Sequence, residues 1–130
     1  MTTTAQSFTI NGPAGSGSFG QNIILLSNGN FVVTDPGFDE GSTLNVGAVY
    51  LYSGTTFTPI SVLKGSTAED GVGNVTPLSN GNFLVGSPFW DNGTAVNAGA
   101  VTLVNGITGL NGVVSPANSL VGTKSDDQVG

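Results

Sequence analysis

LSNGNFVVTDP, residues 26–36, returns 52 positions later as LSNGNFLVGSP, residues 78–88, with eight of eleven residues identical. The same offset carries Asp39, Gly41, Asn45 and GAVYL at residues 47–51 onto Asp91, Gly93, Asn97 and GAVTL at residues 99–103. A second motif, VLKGSTAEDGVG ending at Gly73, matches LVGTKSDDQVG ending at Gly130 with an offset of 57, so the second copy holds about five extra residues. The insertion falls near Ile107 to Val114, where GITGLNGVV suits a longer hairpin loop. NGPAGSGSFG at residues 11–20 is a weaker echo of the same motif. The chain therefore divides into an N-terminal strand and boundary motif, residues 1–19, a first unit, 20–73, and a second unit, 74–130.

Each unit offers four β-prone runs, which in the first are Asn22 to Ser27, Asn30 to Thr34, Gly47 to Ser53 and Thr58 to Leu63. Asn28-Gly29 and Asn80-Gly81 join the first two runs, and this dipeptide favours a tight hairpin of type I′. The 21 glycines and six prolines supply turns and oppose long helices. IILL at 23–26, FVV at 31–33 and AVYLY at 48–52 are nearly continuous apolar runs, so both faces of each sheet need cover. A four-stranded unit of this period, covered on both faces, predicts an all-β fold of β-propeller blades. On this reading Leu26, Phe31, Val33, Val49 and Leu51 are buried, together with Leu78, Phe83, Val85, Val101 and Leu103. Ser7 to Ile10 and Asn118 to Val121 both read as fourth strands.

Three ordered landmarks in the first unit, Phe19-Gly20, Thr34-Asp35-Pro36 and Gly47-Ala48-Val49-Tyr50, and three in the second, Val72-Gly73, Gly86-Ser87-Pro88 and Gly99-Ala100-Val101-Thr102, resemble the FG-GAP repeats of integrin-type propellers. The resemblance implies two four-stranded antiparallel blades with an adhesion or scaffold role. The calcium loop of that family has no counterpart, because the link between the first two strands is only Ser27 to Asn30 and lacks the carboxylates calcium needs. Propellers close at about four to eight blades, so two blades per chain imply homo-oligomerisation of three or four chains into a six- or eight-bladed ring.

Composition narrows the function further. Two basic residues against eight acidic ones, a net charge of −6, disfavour nucleic acid and anionic membranes as partners. The absence of Cys and His removes thiolates, imidazole bases and the usual zinc sites. We expect no enzyme activity, no cofactor and no metal. Abundant Gly, Thr, Asn and Ser with few basic residues fits an extracellular or cell-surface location, and the opening MTTTAQSF carries no signal-peptide pattern.

The recurring Phe38-Asp39-Glu40-Gly41-Ser42 and Trp90-Asp91-Asn92-Gly93-Thr94 are the candidate ligand loops. An aromatic ring beside a carboxylate and a hydroxyl suits a sugar, which makes a carbohydrate-binding lectin the alternative to a protein-binding scaffold. The structural reading of the same loops is stronger: Asp39 and Asp91 brace Asx turns while Phe38 and Trp90 seal an interface between units. The adjacent pairs Glu69-Asp70 and Asp126-Asp127 point opposite ways on an extended chain and read as solvated turn charges. Gly12 to Ser18 lacks the lysine and helix of a phosphate loop. The sequons at Asn74 and Asn92 are incidental.

Overall fold

The computed structural model describes residues 7–130. Met1 to Gln6, part of the expected N-terminal segment, lie outside the described residues. The first hairpin joins β1 (Ile23–Leu25) to β2 (Phe31–Asp35), and its repeat joins β5 (Asn74–Pro77) to β6 (Phe83–Ser87). The hairpins form as expected, but the turn is not type I′. Only the glycine takes positive φ, 92° at Gly29 and 89° at Gly81. The Gly29 N–H donates to Leu26 O at 3.1 Å, and the Leu26 N–H donates to Asn30 O at 2.9 Å. This is a type I turn followed by a left-handed glycine, the longer of the common hairpin closures. Asn28 serves it differently, accepting the Asn30 N–H on Oδ1 at 2.9 Å.

β3 (Ala48–Tyr52) and β4 (Pro59–Lys64) complete the first sheet, and β7 (Ala100–Val104) and β9 (Ser119–Val121) complete the second. Pairing within each unit is antiparallel and in sequence order. The inserted stretch corrects the simple four-plus-four expectation. It is not a free loop: β8 (Gly112–Val113) crosses back to the first sheet and pairs in parallel with Leu63 and Lys64. The orders are therefore β1-β2-β3-β4-β8 and β5-β6-β7-β9.

The repeat extends to single dihedral angles. Asn45 and Asn97 have φ of 53° and 52°, and Glu69 and Asp126 have 67° and 64°. Gly47 and Gly99, at 78° and 79°, form isolated parallel bridges to Val72 and Val129. A Cβ at either glycine would run into the backbone of its bridge partner, so the close approach needs glycine.

Alternation gives each sheet two faces. In the first, Phe31, Val33, Ala48, Tyr50 and Tyr52 form a front, and Val32, Val49, Leu51 and Leu63 form a back. The register gives the second sheet a front of Phe83, Val85, Ala100, Thr102 and Val104 and a back of Leu84, Val101, Leu103 and Leu120. The back of the first sheet meets the front of the second in one core that also takes in Val72, Trp90 and Val114. Each fully buried Val, Leu or Phe there contributes about 1.5 to 3 kcal/mol. β1 and β5 lie side by side. At the opposite edge β8 and Val114 reach back across the interface to β4.

The first sheet's front has a thinner cover, the arm of residues 7–20. Ile10 and Phe19 pack on that face, Phe19 edge-on to Tyr50 with ring centroids 5.4 Å apart. Phe8 stacks on Phe57 at 4.4 Å. The expected strand at Ser7 to Ile10 does not form; this stretch is irregular, and no ladder bond joins it to a sheet.

Candidate interaction faces and repeated loops

The loop aromatics are core residues. Phe38 lies under the front of the first sheet, and Trp90 lies in the core between the sheets. Neither ring offers a face to solvent. Lys64 caps the outer side of Phe38, with Nζ 5.1 Å from the ring centroid and 2.8 Å from Glu40 Oε2. Asp39 Oδ1 accepts the Asn45 N–H and Asp91 Oδ1 accepts the Asn97 N–H, each at 2.8 Å, and these bonds hold the left-handed asparagines in place. Ser42 and Thr94 are exposed at the loop tips. The six candidate residues thus do not converge on one pocket: two are core, two are braces and two face solvent.

The acidic pairs need correcting. Asp70 is fully buried, not solvated. Its Oδ2 accepts the Ser66 and Thr67 N–H groups at 2.8 Å each, and its Oδ1 accepts the Thr67 hydroxyl at 2.6 Å and the Asp91 N–H at 3.3 Å. The last bond crosses from one unit to the next. Asp127 makes the same turn, accepting the Thr123 and Lys124 N–H groups at 3.1 and 2.9 Å, but is exposed. The Lys124 and Thr123 amides, aided by the Lys124 charge, hold its carboxyl below the usual range.

The burial expectations divide along the same line. Leu26, Phe31, Val33, Val49, Leu51, Phe83 and Val85 are buried, whereas Leu78 and Val101 are only partly so and Leu103 is exposed. The contrast is sharpest between counterparts: Leu51 and Leu63 are 0% and 2% exposed, Leu103 and Leu120 are 59% and 76%. The residue types are equivalent, but among the described residues no third sheet covers the second unit's back.

At the other end of the stack, Ile23 and Leu25 are exposed beside the arm. A groove of about 560 Å³ between the arm and β4 is lined by Ile10, Tyr50, Tyr52, Phe57 and Asn111 among others. The large tyrosines stand where the second unit has Thr102 and Val104, which suits a thin cover that leaves more volume to fill. Tyr50 is pushed from 10.0 up to about 12, chiefly by burial and then by the charge of Asp35, and burial also raises Tyr52. These are the chain's two tyrosines. Tyrosinate absorbance is therefore expected to develop later than in the unfolded chain. The fold keeps Tyr50 neutral where the unfolded chain ionises it, so its contribution to stability is constant below about pH 10 and is lost as pH rises toward 12. A tyrosinate titration in native buffer and in denaturant checks this.

Among the described residues no group of three or more acidic side chains is gathered in a way that suits a metal ion. Calcium and EDTA are each expected to leave the melting temperature unchanged. A calcium-dependent rise of several degrees, the mark of binding to the folded state, would reveal a site near Asp39 or Asp91. No helix of the described residues is long and apolar enough to cross a membrane.

Neither a curated protein nor a solved structure is significantly similar to the chain. One family model matches it twice, at residues 25–74 and 77–130. The chain belongs to the DUF5650 family, described as a repeat of unknown function, and carries two of its repeats.

Proposed function

We propose that the chain is a non-enzymatic scaffold and interaction module whose two units are β-propeller blades, and that identical chains associate to complete the propeller. The observation that carries this reading is the contact between the units. The back of one repeat sheet covers the front of the next, with the first strands β1 and β5 side by side, as strands near a propeller axis lie. Such a contact is heterologous, so it repeats until the rotation closes. The landmark order resembling FG-GAP repeats points the same way, toward an adhesion-type role at the cell surface. Three chains supply six blades and four supply eight.

Carbohydrate binding through Phe38 and Trp90 would require both rings to leave their cores. Binding of a protein partner fits better, through the exposed loop tips around Ser42 and Thr94.

Light scattering over a concentration series tests the assembly. The mass is expected to rise from that of one chain, 12.9 kDa, to three or four times that value. A mass of one chain at every concentration, with cooperative unfolding, would overturn the reading.

A further inference from the structure

The two ends of the stack are unequal: the back of the second sheet is exposed, and the front of the first is partly covered by the arm. We propose that the back of the second unit docks onto the front of the first unit in a second copy of this chain, and that the arm from Phe8 to Gly15 competes for that front. The inference rests on the self-assembly reading above.

The chain contains its own template for the contact. Val32, Val49, Leu51 and Leu63 are buried against the front of a repeat sheet. Their counterparts Leu84, Val101, Leu103 and Leu120 make the same surface at the chain's other end, where Leu103 and Leu120 are among the most exposed apolar residues. The complementary surface is the front of the first unit, where Ile23 and Leu25 are exposed next to the buried Phe31 and Val33.

The arm holds part of that front in the manner of a preceding repeat. Aligning Gly12 with Gly65 puts Ile10 at the position of Leu63, the β4 residue that meets the second sheet's front. Ile10 packs on the first sheet's front. A polar bond is substituted as well. Between the units the Asp91 N–H donates to Asp70 Oδ1, and in the first unit the equivalent Asp39 N–H donates to Gly15 O at 2.8 Å. In the docked pair, Asp127 stands where Asp70 stands and receives the Asp39 N–H of the second copy. β9 then takes the place of Phe8 to Asn11. One segment and one strand compete for one surface, so the arm weakens assembly without touching the docking face itself.

Sedimentation velocity on the full chain, over a concentration series, tests both parts. The double variant Phe8→Ser/Ile10→Ser is expected to associate about tenfold more tightly than the parent, because it loosens only the competitor. Leu103→Asp/Leu120→Asp is expected to remain a single chain at every concentration. At a concentration low enough for the parent to be a single chain, its circular dichroism and melting temperature should stay close to those of the parent, since both residues are exposed. Should the arm variant lose its fold, a peptide spanning residues 7–16, added to the unaltered chain, is expected to reduce its association. If the arm variant folds but associates no more tightly, or the peptide has no effect, the competition is wrong and self-assembly stands. If Leu103→Asp/Leu120→Asp associates like the parent, the docking face is wrong. If the parent remains a single chain at every concentration, self-assembly and this inference fail together.

Discussion

Replacement of Phe83 by alanine is expected to cost about 3 to 5 kcal/mol of unfolding free energy, as large-to-small changes in a closed core do. Phe83 is 1% exposed and lies between the two sheets, in contact with the one core that belongs to both repeats. The void has little chance to collapse, because its walls are β-strands held by ladder bonds on either side. Phe31→Ala is expected at the lower end of the same range. Phe31 is 9% exposed and its neighbours Tyr52 and Phe57 lie under the irregular arm, which has more freedom to close over a gap. Urea unfolding of the two variants side by side checks both the size and the order. If neither changes stability, the assignment of faces is wrong.

Asp70→Ala is expected to cost about 2 to 3 kcal/mol, since it strips partners from several amides and a hydroxyl at the unit boundary, and each unsatisfied buried group costs about 1 to 3 kcal/mol. Asp127→Ala is the matched control. The turn is the same and so are its two amide donors, but the site is exposed and water replaces the carboxylate, so only a small fraction of the loss is expected. Equal losses at the two sites would mean that neither the bond from Asp91 across the boundary nor the one from the Thr67 hydroxyl contributes. Thermal unfolding of both variants separates the outcomes.

Much of this architecture is legible in the sequence, and the failures over burial share a cause. The repeat of LSNGNF, the Asn-Gly hairpins and the continuous apolar runs lead directly to two sheets, the first of them covered on both faces. What repetition conceals is position within the stack. GAVYL and GAVTL are nearly identical, so nothing local marks Leu51 as buried and Leu103 as exposed; the second sheet's packing on Leu51 separates them. The same holds for Asp70 and Asp127, which share a turn and differ in what lies beyond it. β8 was hidden for another reason. It is two residues long and pairs in parallel with a strand far back in the chain, so it leaves no alternation to detect. The turn type was misjudged because Asn-Gly is compatible with two closures, and Asn28 uses its side chain as an acceptor, with only the glycine at positive φ.

For the candidate loops, Phe38-Asp39 and Trp90-Asp91 carry residue types that suit either a ligand or a brace. Burial decides between the two, and burial depends on the neighbouring sheet or arm. The docking surface had no motif at all. Its signal is the comparison of Leu51 and Leu63 with Leu103 and Leu120, which needs the register of both sheets.

Negative-stain electron microscopy of the assembled species checks the proposed front-to-back stacking of these repeats around an axis. Closed rings whose class averages show six or eight equal units are expected. Open filaments, or compact single chains at concentrations where the arm variant is expected to assemble, would overturn the proposal.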